Sequence, residues 1–183
     1  MNSLSRFLDR IANWKTFGFF LTSYLFFCGF ILKNAENAIN RLAGKTVGII
    51  DLTFGFHPAR TLQMVADYGD AARALYARTE MTADVAYPLV YAFLLGILLT
   101  FLYRKTAAAW LNVLPFVVLL FDYAENTSIV WLLYTFPQQS MTAALCCEVF
   151  KLLKWGTLGL SAMLIVWSGV GRLRYVDFRS SIT

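Results

Sequence analysis

The chain has 183 residues, of which 58% are hydrophobic, 16% aromatic and only 15% charged. An average soluble domain is about 45–50% apolar and about 25% charged, so this balance excludes a soluble fold, a disordered chain, a coiled coil and a collagen-like chain. The net charge is +5. On a soluble protein that excess would suggest nucleic acid, but here the basic residues flank apolar runs and read as membrane topology.

In chain order, Arg6, Arg10 and Lys15 precede a first apolar run, 16–32, which holds no charge. At about 17 residues it is long enough to cross a bilayer. No small-residue cleavage site follows it, so the expectation is an uncleaved span. Residues 33–83 carry six basic and five acidic residues and form an outer cap. Lys33 to Leu42 predicts a short amphipathic helix stopped by Gly44. Val47 to Phe56 is an extended, turn-bearing stretch. His57-Pro58 opens a second helix, because proline suits the first helical position. Leu62, Val65, Gly69, Ala72, Leu75 and Tyr76 recur every three to four residues along it, which makes it amphipathic.

Three further spans are expected at about 84–103, 107–136 and 142–170, the third kinked at Pro115. Arg104 and Lys105 separate the second from the third, and Arg172, Arg174 and Arg179 follow the fourth. This pattern puts both termini and the 104–105 turn in the cytoplasm of a multi-pass protein of the bacterial inner membrane. The fold class is all-α: a four-helix transmembrane bundle with an outer amphipathic-helix cap between spans one and two. Residues 1–183 form one membrane domain, without repeats or a second domain.

The chemistry sits in residues that are costly to bury in a membrane, at about 2.5–3.5 kcal/mol each on insertion scales. Asp122, Glu125 and Asn126 fall within one arc of span three, shared with Val118 and Ile129. Glu148, Lys151, Lys154 and Trp155 share a face of span four. Asp84, Tyr87, Pro88 and Tyr91 share a face of span two. All three faces fall in the outer half of the bundle. Asp84, Asp122, Glu125 and Glu148 outnumber Lys151 and Lys154, so the group needs a shared proton, a bound cation or access to water.

Other motifs are weak. Cys28, Cys146 and Cys147 are too few for a disulfide framework and lack zinc-site or thiol-redox spacing. The one histidine, His57, excludes a bis-histidine haem and any zinc site built on several histidines. No acidic spacing is diagnostic of a metal, and no nucleotide-binding or hydrolase motif is present. The sequence names no cofactor and no protein partner. Tyr24, Tyr87, Tyr91 and Tyr134 are candidates to supply phenols to a cavity.

Asp51 through Phe56 followed by Pro58, Tyr87-Pro88-Leu89-Val90-Tyr91, Asp122 through Asn126, and Leu153-Lys154-Trp155 together resemble a group of uncharacterised bacterial four-span membrane proteins. The resemblance covers about 50–160. It implies a fold and a location and carries no activity. The group has Ser or Thr before the proline and an acidic residue after it; here those positions are His57 and Ala59.

The preferred expectation is binding of an amphiphilic or lipid-like molecule within membrane lipid, with its processing as an option that the sequence leaves open. Its polar end would meet Asp84, Asp122, Glu125, Asn126, Lys151 and Lys154, with Trp155 beside them. Asp122 or Glu125 is the candidate general acid or base, and Lys154 would neutralise developing negative charge. Tyr87 and Tyr91 would position the ligand, and Asp51 and His57 would close the outer mouth. One alternative is a structural or assembly subunit whose buried charges only fix packing. The other is a small proton-coupled transporter.

Overall fold

The computed structural model describes residues 3–180, with side chains up to residue 169. The arginines expected beyond the fourth span therefore lie outside the described side chains. Within the described residues every regular element is a helix, and there is no strand. Four helical stretches are long and apolar enough to cross a membrane: Trp14–Ala43, Gly69–Tyr103, Ala109–Thr135 and Met141–Gly169.

The first helix, α1 (Ser3–Ile11), was not expected from the sequence. It is short and charged, but it buries Leu8 against Gly96 of the second span. Asn112 Nδ2 donates to Ser5 O at 3.3 Å and to Thr100 Oγ1 at 3.0 Å, which ties α1 to that end of the bundle. Asn13 then caps α2 (Trp14–Phe26), its side chain accepting from the N–H groups of Lys15 and Thr16. A π-helical turn, Phe27–Leu32, carries α2 without a break into α3 (Lys33–Ala43). Gly44, at φ +69°, ends α3 in the left-handed conformation that glycine adopts at no steric cost. This first long helix turns Phe19, Leu25, Phe26 and Phe30 outward.

The cap departs from the expected single helix. It consists of α4 (Pro58–Asp67) and α5 (Gly69–Glu80), separated at Gly69, whose φ is +72°. The apolar period survives the break because Tyr68, Ala72 and Tyr76 all still point inward. They join Ile39, Ile50, Leu62 and Val65 in one cluster against Ile129, Leu132 and Leu133 of the third span and Ala144 and Cys147 of the fourth. Burial pushes the Tyr68 phenol up, so it stays a donor, and it donates to Gly48 O at 2.9 Å.

The remaining spans are α6 (Ala83–Tyr103), α7 (Leu114–Thr135) and α8 (Met141–Ser180). Pro115 does not kink the third span. It sits in the first turn of α7, where its missing N–H costs nothing, after a 3-10 turn at Ala109–Val113. In lipid, apolar contact gives little net drive between helices, so packing and interhelical polar bonds matter more. The outward-facing Leu120, Trp131, Leu152, Met163 and Val166 leave the polar residues of α6, α7 and α8 on the inside.

Candidate functional site

The periodicity places its polar residues as expected. Val118, Asp122, Glu125, Asn126 and Ile129 are all buried on one face of α7. Glu148, Lys151 and Lys154 are buried on one face of α8. The structure then sorts these groups into two clusters with different roles.

The first cluster clamps the cap. Lys151 Nζ lies 2.6 Å from Glu148 Oε1. Lys151 also donates to Thr53 Oγ1 at 2.7 Å and reaches Ile50 O at 3.5 Å. Glu148 accepts the His57 backbone N–H at 2.9 Å and the Thr61 hydroxyl at 2.6 Å. A carboxylate is thus fixed at the start of α4, where the helix dipole favours negative charge. These bonds occupy both side chains. Lys151 is not among the residues that line the cavity described below. The main chain of His57 serves the clamp, and its exposed imidazole packs over Gly55.

The second cluster lies deeper. Lys154 Nζ sits 2.5 Å from Glu125 Oε2 and 3.5 Å from Asp122 Oδ1. The Tyr91 hydroxyl donates to Asp122 Oδ2 at 2.7 Å. Asn126 Nδ2 donates to Asp84 O at 3.1 Å and Asp84 Oδ2 at 3.2 Å. Glu80 precedes Asp84 by four residues, which sets the two carboxyls on one helical face close enough to interact. Glu80 is buried, and its Oε2 has no hydrogen-bond partner. Glu125 Oε1 also has none.

A cavity of about 540 Å³ opens beside this cluster. It lies between the first long helix, which contributes Tyr24, Cys28 and Leu32, and α8, which contributes Lys154, Trp155 and Leu158. Its back wall is α6, with Asp84, Tyr87, Tyr91, Leu94 and Leu95. Ile49, Asp51 and Leu52 border it toward the cap, together with Tyr76 and Glu80 of α5. Such a volume lies within the range of small-molecule sites. The π-helical turn supplies Cys28 and Leu32 to the wall, and such turns are frequent at functional sites.

Among the residues expected at the site, Asp51, Asp84, Tyr87, Tyr91, Asp122, Lys154 and Trp155 line this cavity. Glu125 and Asn126 stand behind its wall: one holds Lys154, the other Asp84. Tyr24 and Tyr87 stack with ring centroids 5.8 Å apart, and Tyr87 meets Tyr91 edge-on at 5.4 Å. Tyr134 is exposed and contributes no phenol. Cys28 Sγ lies 3.3 Å from the Tyr87 hydroxyl, and all three cysteines are free.

Sequence reasoning missed Glu80 because it set the start of the second span at Asp84. The four-residue spacing to Asp84 was the available signal. It missed Tyr76, whose hydroxyl donates to Asp51 Oδ1 at 3.1 Å and accepts from the Ile50 N–H at 3.0 Å. Around the polar end, Asp51, Glu80, Asp84, Asp122 and Glu125 face Lys154 as the ammonium among them. Among the described residues, no three His, Cys, Asp or Glu side chains converge to hold a metal ion. No protein-family model, curated protein or solved structure matches the chain.

Proposed function

We propose that this chain is a small-molecule-binding protein of the bacterial inner membrane whose ligand is amphiphilic. The observation that carries this reading is the cavity itself. Leu32, Leu94, Leu95 and Leu158 line it as apolar wall, while Asp51, Glu80, Asp84, Asp122 and Lys154 form a polar end. An apolar space with a few convergent polar groups is the usual form of a ligand site. Buried ionisable groups at membrane depth are costly and mark function by default.

The orientation proposed is with both termini in the cytoplasm. Arg104 and Lys105 are exposed at the same end of the bundle as α1, which carries Arg6 and Arg10. That grouping fits the positive-inside rule and puts the cavity toward the outer face. Asp122 and Lys154 are the members of the expected acid–base set that a ligand would touch. Glu125 acts through Lys154 by holding it in place.

The test is extraction and mass spectrometry of protein purified gently from its own membrane. One small molecule in near-stoichiometric amount, lost in Asp122→Asn, is the expected result. Bulk phospholipid alone, unchanged in the variant, would overturn the reading. It would favour a packing role for the second cluster as well, a role the first already plays through Glu148 and Lys151.

A further inference from the structure

Building on the cavity reading above, we propose that the ligand carries a cationic head, an organic ammonium on an apolar body. The charges at the polar end do not balance. Lys154 is the ammonium there, and Glu125 and Asp122 already hold it at 2.5 Å and 3.5 Å. Lys33, at the rim, is paired with Glu36 at 2.9 Å. Asp51, Glu80 and Asp84 line the space without a cation, and a proton shared between Glu80 and Asp84 would still leave two negative charges among the three.

The hydrogen bonds that do reach these carboxyl groups come from neutral donors. Asp51 takes one from Tyr76, and Asp84 takes one from Asn126. Glu80 Oε2 takes none, although the residue is only 2% exposed and lines the cavity. Carboxyl groups crowded together away from water are costly to ionise, and a positive charge in the cavity beside them would relieve that cost. A charged donor would also offset the excess of like charge, which an uncharged hydroxyl would not.

The wall suits such a head. Tyr24, Tyr87 and Tyr91 form a run of touching rings along it, the first two stacked and the last edge-on. Aromatic faces attract ammonium groups, most strongly where water is excluded. An anionic head would meet the opposite field, and a bare inorganic ion would leave the leucine-lined part of the cavity unfilled.

The experiment uses the full chain in phosphatidylcholine nanodiscs at pH 7, with empty discs as the reference. Three probes of equal tail length are compared: dodecylamine, dodecanol and dodecanoate. An alkylamine is cationic at this pH, as lysine is. Dodecylamine should bind at least about tenfold tighter than the other two. That advantage should vanish in the double variant Glu80→Gln, Asp84→Asn. The wild-type selectivity needs no variant, so a misfolded mutant does not blunt the test. Equal or tighter binding of dodecanol or dodecanoate, blocked by Leu94→Trp, would overturn the cationic assignment and leave the cavity reading standing. No saturable binding of any probe would overturn both.

Discussion

Lys154 on α8 and Glu125 on α7 form an ion pair with Nζ and Oε2 2.5 Å apart and both side chains out of solvent. The pair joins the two helices that pack most extensively on each other, and it points Lys154 at the cavity. Removing one partner of such a pair leaves an uncompensated buried charge, which costs about 3–5 kcal/mol. Lys154→Met should therefore destabilise the protein by that order. Adding Glu125→Gln should recover part of the loss, because one of the two stranded carboxylates disappears while Asp122 remains. Unfolding in mixed micelles measures both. A Lys154→Met protein as stable as wild type would refute the pair's role.

Glu148 makes a different prediction. It receives the His57 N–H, the Thr61 hydroxyl and the Lys151 ammonium. Glu148→Ala should loosen the loop and the start of α4 while the spans stay packed. Hydrogen exchange should rise across residues 50–61, with amphiphile binding reduced only where Asp51 moves. The size is about 3 kcal/mol or more of local opening free energy, since the Lys151 charge is left buried. Exchange confined to other segments would contradict the clamp.

Gly96 gives a control far from the cap. A Cβ there would meet Asn112 O at 3.1 Å, the Phe116 ring at 3.3 Å and Leu8 at 3.4 Å. Gly96→Leu should cost about 1–3 kcal/mol through overpacking and should release α1. Amphiphile binding should persist in the folded fraction, because none of the three residues that Gly96 meets, Asn112, Phe116 and Leu8, is in the cavity wall. Equal loss of binding per folded molecule would show that this contact and the cavity are not independent.

The carboxyl of Asp67 is held below its ordinary 3.8 chiefly by the hydrogen bond from Lys45. Lys45 Nζ lies 2.8 Å away, and the tie links the end of α3 to α4. A lowered folded pKa means the contribution is complete above the unfolded value and is lost as pH falls through the folded one. The pair is solvent-exposed, so the effect is small. Acidification below about pH 4 should raise exchange around Lys45 in the wild type. Asp67→Asn should show that raised exchange already at neutral pH. A pH-independent wild type would count against the tie.

The four spans and their polar faces were legible because each rests on local period. Asp122, Glu125 and Asn126 sit three or four apart, and so do Glu148, Lys151 and Lys154, each set standing out within an apolar run. The roles of Lys151 and Glu148 were not legible. Their partners Thr53, His57 and Thr61 come from a loop and helix 87 to 98 residues away. Glu80 was hidden by a boundary drawn at the edge of the hydropathy, although α5 and α6 lie on one candidate span. Gly69 matched an apolar period while serving as a left-handed break, a choice that depends on φ and not on hydrophobicity. The π-helical turn has no sequence signature of its own beyond Gly29 within it.

The most direct test of the central claim uses Cys28, whose free thiol lines the cavity. With Cys146 and Cys147 changed to serine, a small maleimide reports access to that wall alone. Dodecylamine, dodecanol or dodecanoate, at a saturating level in the nanodisc, should slow alkylation of Cys28 several-fold. Leu94→Trp should remove the effect of the amphiphile. An alkylation rate indifferent to all three amphiphiles would contradict an amphiphile-binding cavity.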